Sequence, residues 1–248
     1  MKIVVAGATG TAGAQVVALA GQRGHDVVAM SRKTGQDLAT GRGLGEAMAG
    51  AQVVIDVSNQ MPMSTRRSVD FFTRVTGNLN SAAHAAGVGH HVALSIVGID
   101  GLGRGYNAGK LAQERLVSQG PVPWSIQRAT QFHEFTGQVL QQGSIGPIAV
   151  IPKMLLRPVA ARDVAQRLLD VAEAAPAGRT TDLVGPLDET LIDMVRRSLA
   201  QDGLNRRLVS VSPPGKHWRA ARSGILRGGS DALIGQMTFD QWLAGRTR

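Results

Sequence analysis

Apolar positions fall in short runs at regular intervals along the first half of the chain. The strand-like runs at 3–6, 27–30, 52–57, 91–95 and 125–128 are too short for helices, and the first of them is β-branched. Such runs suit strands buried on both faces. Between them the pattern changes period, and helices are expected over 11–23, 44–49, 65–86 and 107–119. The longest of these places Val69, Phe72, Val75, Leu79, Ala82 and Ala86 three or four residues apart on one face, and Gly87 follows as a stop. Strand alternating with helix predicts an α/β fold, a doubly wound parallel sheet with helices on both faces. After about residue 130 the rhythm breaks, with loop signals at Gly143-Ser-Ile-Gly-Pro147 and Pro152. Helices are then expected over 162–174 and 190–201, strands over 180–184 and 208–211, and a last helix capped by Thr238 with Phe239 and Trp242 on one face. The expectation is one domain over 1–248, with a core at 1–135 and a smaller C-terminal lobe at 136–248 packed on it.

The first strand runs straight into Gly7-Ala-Thr9-Gly10-Thr11-Ala12-Gly13, followed by the small-residue stretch Ala14-Gln-Val-Val-Ala-Leu-Ala20. A strand, a glycine turn and a helix opening at the turn make an anion site. Free N–H groups and the helix dipole both point at it, and the turn suits the pyrophosphate of a dinucleotide. A side chain there would block the approach of a phosphate or clash in the turn. The spacing is G-x-x-G-x-x-G rather than the G-x-G-x-x-G fingerprint. Its position, directly between a strand and a helix with the next strand where a βαβ unit needs it, gives it weight beyond a chance triplet among 31 glycines.

Composition narrows the chemistry. With 248 residues and 43% hydrophobic content the chain can bury a full core, and no run approaches a membrane span. It lacks cysteine, which excludes disulfides, thiolate metal sites and cysteine nucleophiles. The N-terminus reads as a strand rather than a leader, so a cytoplasmic address is expected. The net charge of +9 comes from scattered arginines without basic runs, and aromatics are only 4%. That pattern argues against a nucleic-acid partner and fits a surface attractive to an anionic small molecule. His90 and His91 are adjacent and should point to opposite faces, and no other histidine has a ligand-spaced partner, so no metal is expected. No Ser-His-Asp arrangement or nucleophile-elbow pattern is visible.

Tyr106, the single tyrosine, stands four residues before Lys110, so both side chains share one helical face. A nearby ammonium would lower the phenol pKa toward neutrality. Ser95 ends the preceding strand, where ligands collect in a doubly wound sheet. These segments, with Gly7–Gly13, the Leu-Ala-Gln-Glu-Arg after Lys110, and Trp124-Ser-Ile-Gln-Arg128-Ala-Thr-Gln-Phe132, resemble the short-chain dehydrogenase/reductase superfamily. The similarity is to its atypical, NmrA-like NAD(P)-binding branch. The resemblance implies a Rossmann-type fold, with Tyr106 as proton donor, Lys110 as its partner and ribose ligand, and Ser95 orienting a carbonyl. It also implies that Arg128, Ala129 and Thr130 pass the nicotinamide.

At the end of the second strand, Ser31-Arg32-Lys33 replaces the acidic residue that would bind the ribose hydroxyls of NAD. A hydroxyl and two cations suit a 2′-phosphate, so NADP is the expected cofactor, NADPH in preference to NADH. Asp37-Leu38 lies where related proteins contact adenine; Asp37 either accepts from the adenine amine or closes a turn. Ser58 and Asn59 should approach the cofactor through their backbone. Phe132 and His133, with Glu134, either line the substrate pocket or begin a helix. The expected function is reduction of a carbonyl or quinone-like small molecule by a monomer or homodimer. The alternative is a non-catalytic NADP(H)-binding redox sensor or assembly protein. A third reading, an epimerase or dehydratase of nucleotide sugars, would use the same site.

Overall fold

The computed structural model describes residues 1–61 and 64–246. It divides into two compact units: one formed by 1–128 and 164–181, the other by 129–163 and 182–248. The first unit ends its main run at Arg128 and takes in 164–181 from further along the chain.

In the first unit, β1 (Lys2–Ala6), α1 (Thr11–Gln22), β2 (Asp26–Met30), α2 (Leu44–Met48), β3 (Val53–Asp56), α3 (Thr65–Ala85), β4 (His90–Ile96), α4 (Tyr106–Ser118) and β5 (Trp124–Ala129) follow one another. The strands lie in the order β2-β1-β3-β4-β5. β1 runs parallel to β2 and β3, and β3 to β4: Val4 faces Val28 on one side and Val54 on the other, and Ile55 faces Val92. This is a Rossmann-type α/β arrangement, as the alternation of periods predicts. Ile3, Val4, Val5, Val54, Ile55 and Val92 are wholly buried, which is why these strands read as continuous apolar runs rather than alternating ones. Met30, Leu44, Met48, Val54, Val75 and Leu79 close one core between sheet and helices. Along α3, Phe72, Val75 and Leu79 are buried as expected, but Ser68, Thr76 and Asn80 are buried beside them. The buried face is therefore wider than the apolar stripe, because α4 packs along this helix too.

The second unit contains α5 (Phe135–Gly143), β6 (Ser144–Ile145), β7 (Ile148–Pro152) and β8 (Leu155–Leu156). From α6 (Ala161–Glu173) the chain passes to β9 (Gly178–Arg179), which pairs with β5 in the first unit. The second unit resumes with β10 (Leu183–Val184), β11 (Glu189–Thr190), α7 (Leu191–Gln201), β12 (Arg207–Val211), α8 (Lys216–Ser223), β13 (Leu233–Ile234) and α9 (Phe239–Ala244). The strand expected over 180–184 shortens to Leu183–Val184. Thr180 instead donates its hydroxyl to the Gln127 side chain, inside the first unit. The expected strand over 208–211 is present as β12, at the edge of a β12-β7-β6 sheet and parallel to β7. Thr238 caps α9 reciprocally with Gln241. Among the described residues, no helix is long and apolar enough to cross a membrane.

Candidate active site

Three glycines shape the turn after β1, each for a different reason. Gly7 sits at φ +85°, and a Cβ there would lie 2.8 Å from the backbone of Ser58 and Val57. A Cβ on Gly13 would lie 2.1 Å from the Gly7 carbonyl oxygen. These two positions let β1, α1 and the segment after β3 close together. Gly10 is different: a Cβ would meet only the Gly7 carbonyl oxygen, at 3.4 Å. Gly10 is also the N-cap of α1 and makes no side-chain capping bond; the first helical bond runs from Ala14 N–H to its carbonyl. The N–H groups of Thr11, Ala12 and Gly13 therefore lack intrahelical acceptors and open beside a glycine with space over it. Backbone donors, a positive helix end and an uncovered glycine form an anion cradle.

The carboxyl ends of β3 and β4 adjoin this cradle. The space a Gly7 side chain would need is taken by the Ser58 backbone, and the next residue, Asn59, accepts a hydrogen bond from the Tyr106 hydroxyl at Oδ1 over 2.7 Å. Lys110 Nζ donates to the Leu94 carbonyl at 2.6 Å, next to Ser95, and also to Gln113 Oε1. The hydroxyls of Ser58 and Ser95 are buried and, among the described residues, without a hydrogen-bond partner. Gly7, Ser58, Asn59, Ser95, Tyr106 and Lys110 are thus gathered at one end of the sheet.

The electrostatics differ from the sequence expectation in one respect. Tyr106 and Lys110 share a helix face, but burial drives the phenol pKa upward rather than toward neutrality; only the bond to Asn59 opposes it. The Lys110 ammonium is engaged by Leu94 and Gln113 and stacks over the Phe72 ring at 4.9 Å. Its own pKa falls to about 8 through burial, with Asp56 and Glu114 pulling it back up.

Other sequence-predicted residues are placed as follows. Ser31 caps a 3₁₀ turn at Arg32–Thr34, in a reciprocal pair with Thr34. Arg32 and Lys33 are exposed and, among the described residues, make no ion pair or side-chain hydrogen bond. Asp37 Oδ1 accepts the Ala39 N–H at 2.9 Å, which holds its pKa low and closes a turn. Leu38 packs on the core beside Val28 and Phe71. Arg128 is 1% exposed and clamped between Asp100 and Glu114. Ala129, Thr130, Phe132 and His133 belong to the second unit. There Thr130 donates to the Arg157 carbonyl at 2.6 Å, and Phe132 forms a bridge with Val159. His133 is fully buried, donates from Nε2 to the Met237 carbonyl at 3.1 Å, and packs on Phe239 and Trp242. Those contacts hold the imidazole within that unit.

The reading of the sequence passed over Asp56 and Gln113. Gln113 lies three residues after Lys110 and seven after Tyr106, a helical spacing that could have revealed it. Asp56 ends an apolar run, and only its wholly buried state marks it out. Among the described residues no cluster of histidines and carboxylates could hold a metal. His90 pairs instead with Ser125 at 2.8 Å and His91 with Asn80 at 2.9 Å.

No protein-family model matches the chain. A curated relative, the 4-hydroxy-tetrahydrodipicolinate reductase of Natronomonas pharaonis, is 26% identical over 238 residues, covering 94% of this chain and 82% of its own. Two solved structures share the architecture. One is a short-chain dehydrogenase/reductase superfamily protein from Agrobacterium tumefaciens with bound NAD, with TM-score 0.69, 19% identity, and coverage of 98% of this chain and 95% of that one. The other is the NADPH-dependent quinone oxidoreductase QOR2 of Escherichia coli, with TM-score 0.67, 18% identity and 98% coverage of each chain. The chain has the fold of the short-chain dehydrogenase/reductase superfamily.

Proposed function

We propose that the chain is an NADPH-dependent reductase of a carbonyl or quinone-like small molecule, of the atypical, NmrA-like kind. The observation that carries the proposal is the meeting, within one compact unit, of an anion cradle with a tyrosine and a lysine. The Ser58 backbone fills the space beside Gly7 that a side chain would need, and Asn59 after it holds Tyr106. The relatives support the same class of chemistry: the A. tumefaciens structure holds NAD, and QOR2 is named for NADPH and quinones.

The cradle fits a dinucleotide: open space over Gly10, the free N–H groups of α1, and buried unpartnered hydroxyls on Ser58 and Ser95. A bound nicotinamide supplies the hydride. Tyr106 keeps its proton across the physiological range because burial disfavours the phenolate. It therefore serves as an acid, giving the hydroxyl proton to the substrate oxygen as negative charge develops there. Ser95 Oγ, without a partner of its own, donates to the same oxygen. Lys110 supplies positive charge at the end of β4. Arg32 and Lys33, exposed and unpaired, receive the 2′-phosphate that separates NADPH from NADH.

The test follows NADPH oxidation against quinones, aldehydes and ketones, with Tyr106→Phe as control and the affinities of NADPH and NADH measured in parallel. The expected result is turnover that falls about 10²–10⁴-fold in the variant while NADPH binding persists. Equal affinities for the two dinucleotides would remove the role given to Arg32 and Lys33. NADPH binding without turnover across the panel would favour a redox sensor.

A further inference from the structure

We infer that Asp56 and Gln113 are positioning residues for Lys110, joining it through one buried chain of hydrogen bonds to the segment that carries Ser58 and Asn59. Lys110 Nζ donates to Gln113 Oε1, Gln113 Nε2 donates to Asp56 Oδ2 at 2.8 Å, and Asp56 Oδ1 accepts the Ser58 N–H at 2.9 Å. Asn59 then accepts from Tyr106, and α4 returns the chain to Lys110. The result is a closed ring through β3, its following segment and α4, whose members include Tyr106 and Lys110.

Each link answers a physical need. Lys110 is 4% exposed and, among the described residues, makes no direct ion pair, so its charge would be costly without compensation. Asp56 is wholly buried and needs an opposite charge and donors for both oxygens. Gln113, 1% exposed, offers an acceptor to one and a donor to the other, and so couples two buried charges that do not touch. The amide also fixes which way the lysine points, at the end of β4 rather than toward solvent.

The groups around Lys110 leave Asp56 as the principal buried counter-charge. Glu114 on its own helix is spent on Arg128. β4 contributes His91, buried and held neutral by desolvation, with Asn80 on its Nδ1. α3 presents Phe72 and Ser68, while its Arg66, Arg67, Asp70, Arg74 and His84 are exposed.

The inference rests on the reductase reading for its bearing on turnover, but its test does not. The chain has five lysines, Lys2, Lys33, Lys110, Lys153 and Lys216, so isotopically labelled lysine gives a resolvable NMR titration in the protein without added dinucleotide. Lys110 is assigned by its loss in Lys110→Met. Asp56→Asn removes the negative charge at constant shape, and Gln113→Met removes the acceptor at similar volume. Each should lower the Lys110 midpoint by about one pH unit or more, a tenfold loss of proton affinity. Val117→Ala disturbs the same helix without touching the ring and should leave the midpoint in place. Unmoved midpoints in Asp56→Asn and Gln113→Met, or an equal shift in Val117→Ala, would overturn the inference. Should neither ring variant fold, Gln113→Glu, which sets a carboxylate against Lys110 in the same space, should raise the midpoint, and an unmoved midpoint there overturns the inference. Shifted midpoints in a protein without turnover would sustain the ring and remove the reductase reading; turnover with unmoved midpoints would do the reverse.

Discussion

Arg128 and Lys110 are two cations buried in the same unit, 1% and 4% exposed, and their surroundings treat them in opposite ways. Arg128 meets two carboxylates directly. Its Nη1 and Nη2 reach Asp100 at 2.5 and 2.9 Å, and its Nε and Nη2 reach Glu114 at 2.7 Å each. These bonds raise the guanidinium pKa despite burial, so its charge is permanent. Lys110 has a carbonyl and an amide as neighbours, with its counter-charge one residue further away, and its pKa falls to about 8. A cation gripped by carboxylates fixes structure. A cation held by neutral oxygens can release a proton or change partners. The resemblance implies that the segment from Arg128 to Thr130 passes the nicotinamide; the Arg128 side chain ties β5 to α4 and to the loop at Asp100.

The sharpest way to break this contrast is to remove each cation in turn. Arg128→Ala leaves the largely buried Glu114 carboxylate without its partner and should cost about 3 kcal/mol of stability in urea unfolding. Lys110→Met should cost less than half as much while abolishing turnover. Equal losses of stability would mean that both cations are structural. A smaller effect lies in the pH dependence of unfolding. Arg128, then Arg179, hold the Asp100 carboxyl at about 2, below its ordinary 3.8. Its contribution is complete above the ordinary value and lost as the pH falls through about 2. Asp100→Asn should flatten that acid limb. Lys110 acts at the other end: its lowered pKa means the unfolded chain binds the extra proton between about 8 and 10.5, so stability should rise with pH through that window. Lys110→Met should erase the rise, as a calorimetric series across pH would show.

What could be read from the sequence was local. The β1–turn–α1 unit shows itself because an apolar run, three glycines and a small-residue helix are contiguous. The cap at Thr238 needs only four residues, and the buried stripe of Phe72, Val75 and Leu79 follows from the helical period. The ring through Asp56, Gln113 and Lys110 was hidden because Gln113 and Asp56 lie 57 positions apart and meet only once the sheet is built. His133 stayed ambiguous for a similar reason: its partners, Met237, Phe239 and Trp242, come about a hundred residues later. The raised pKa of Tyr106 depends on burial, which spacing along a helix does not carry.

The turn after β1 also writes a grammar for its own variation. Any side chain at Gly7 or Gly13 collides with backbone that cannot step aside, so a population of random variants screened for soluble protein alone would discard changes at those two positions. Gly10 would survive that screen with a methyl group in place, because the polypeptide puts nothing but one carbonyl oxygen near it. A second screen, for retention on an immobilised nucleotide, would then remove Gly10 variants. Sorting one library twice would separate the letters the fold demands from the letter kept for a guest.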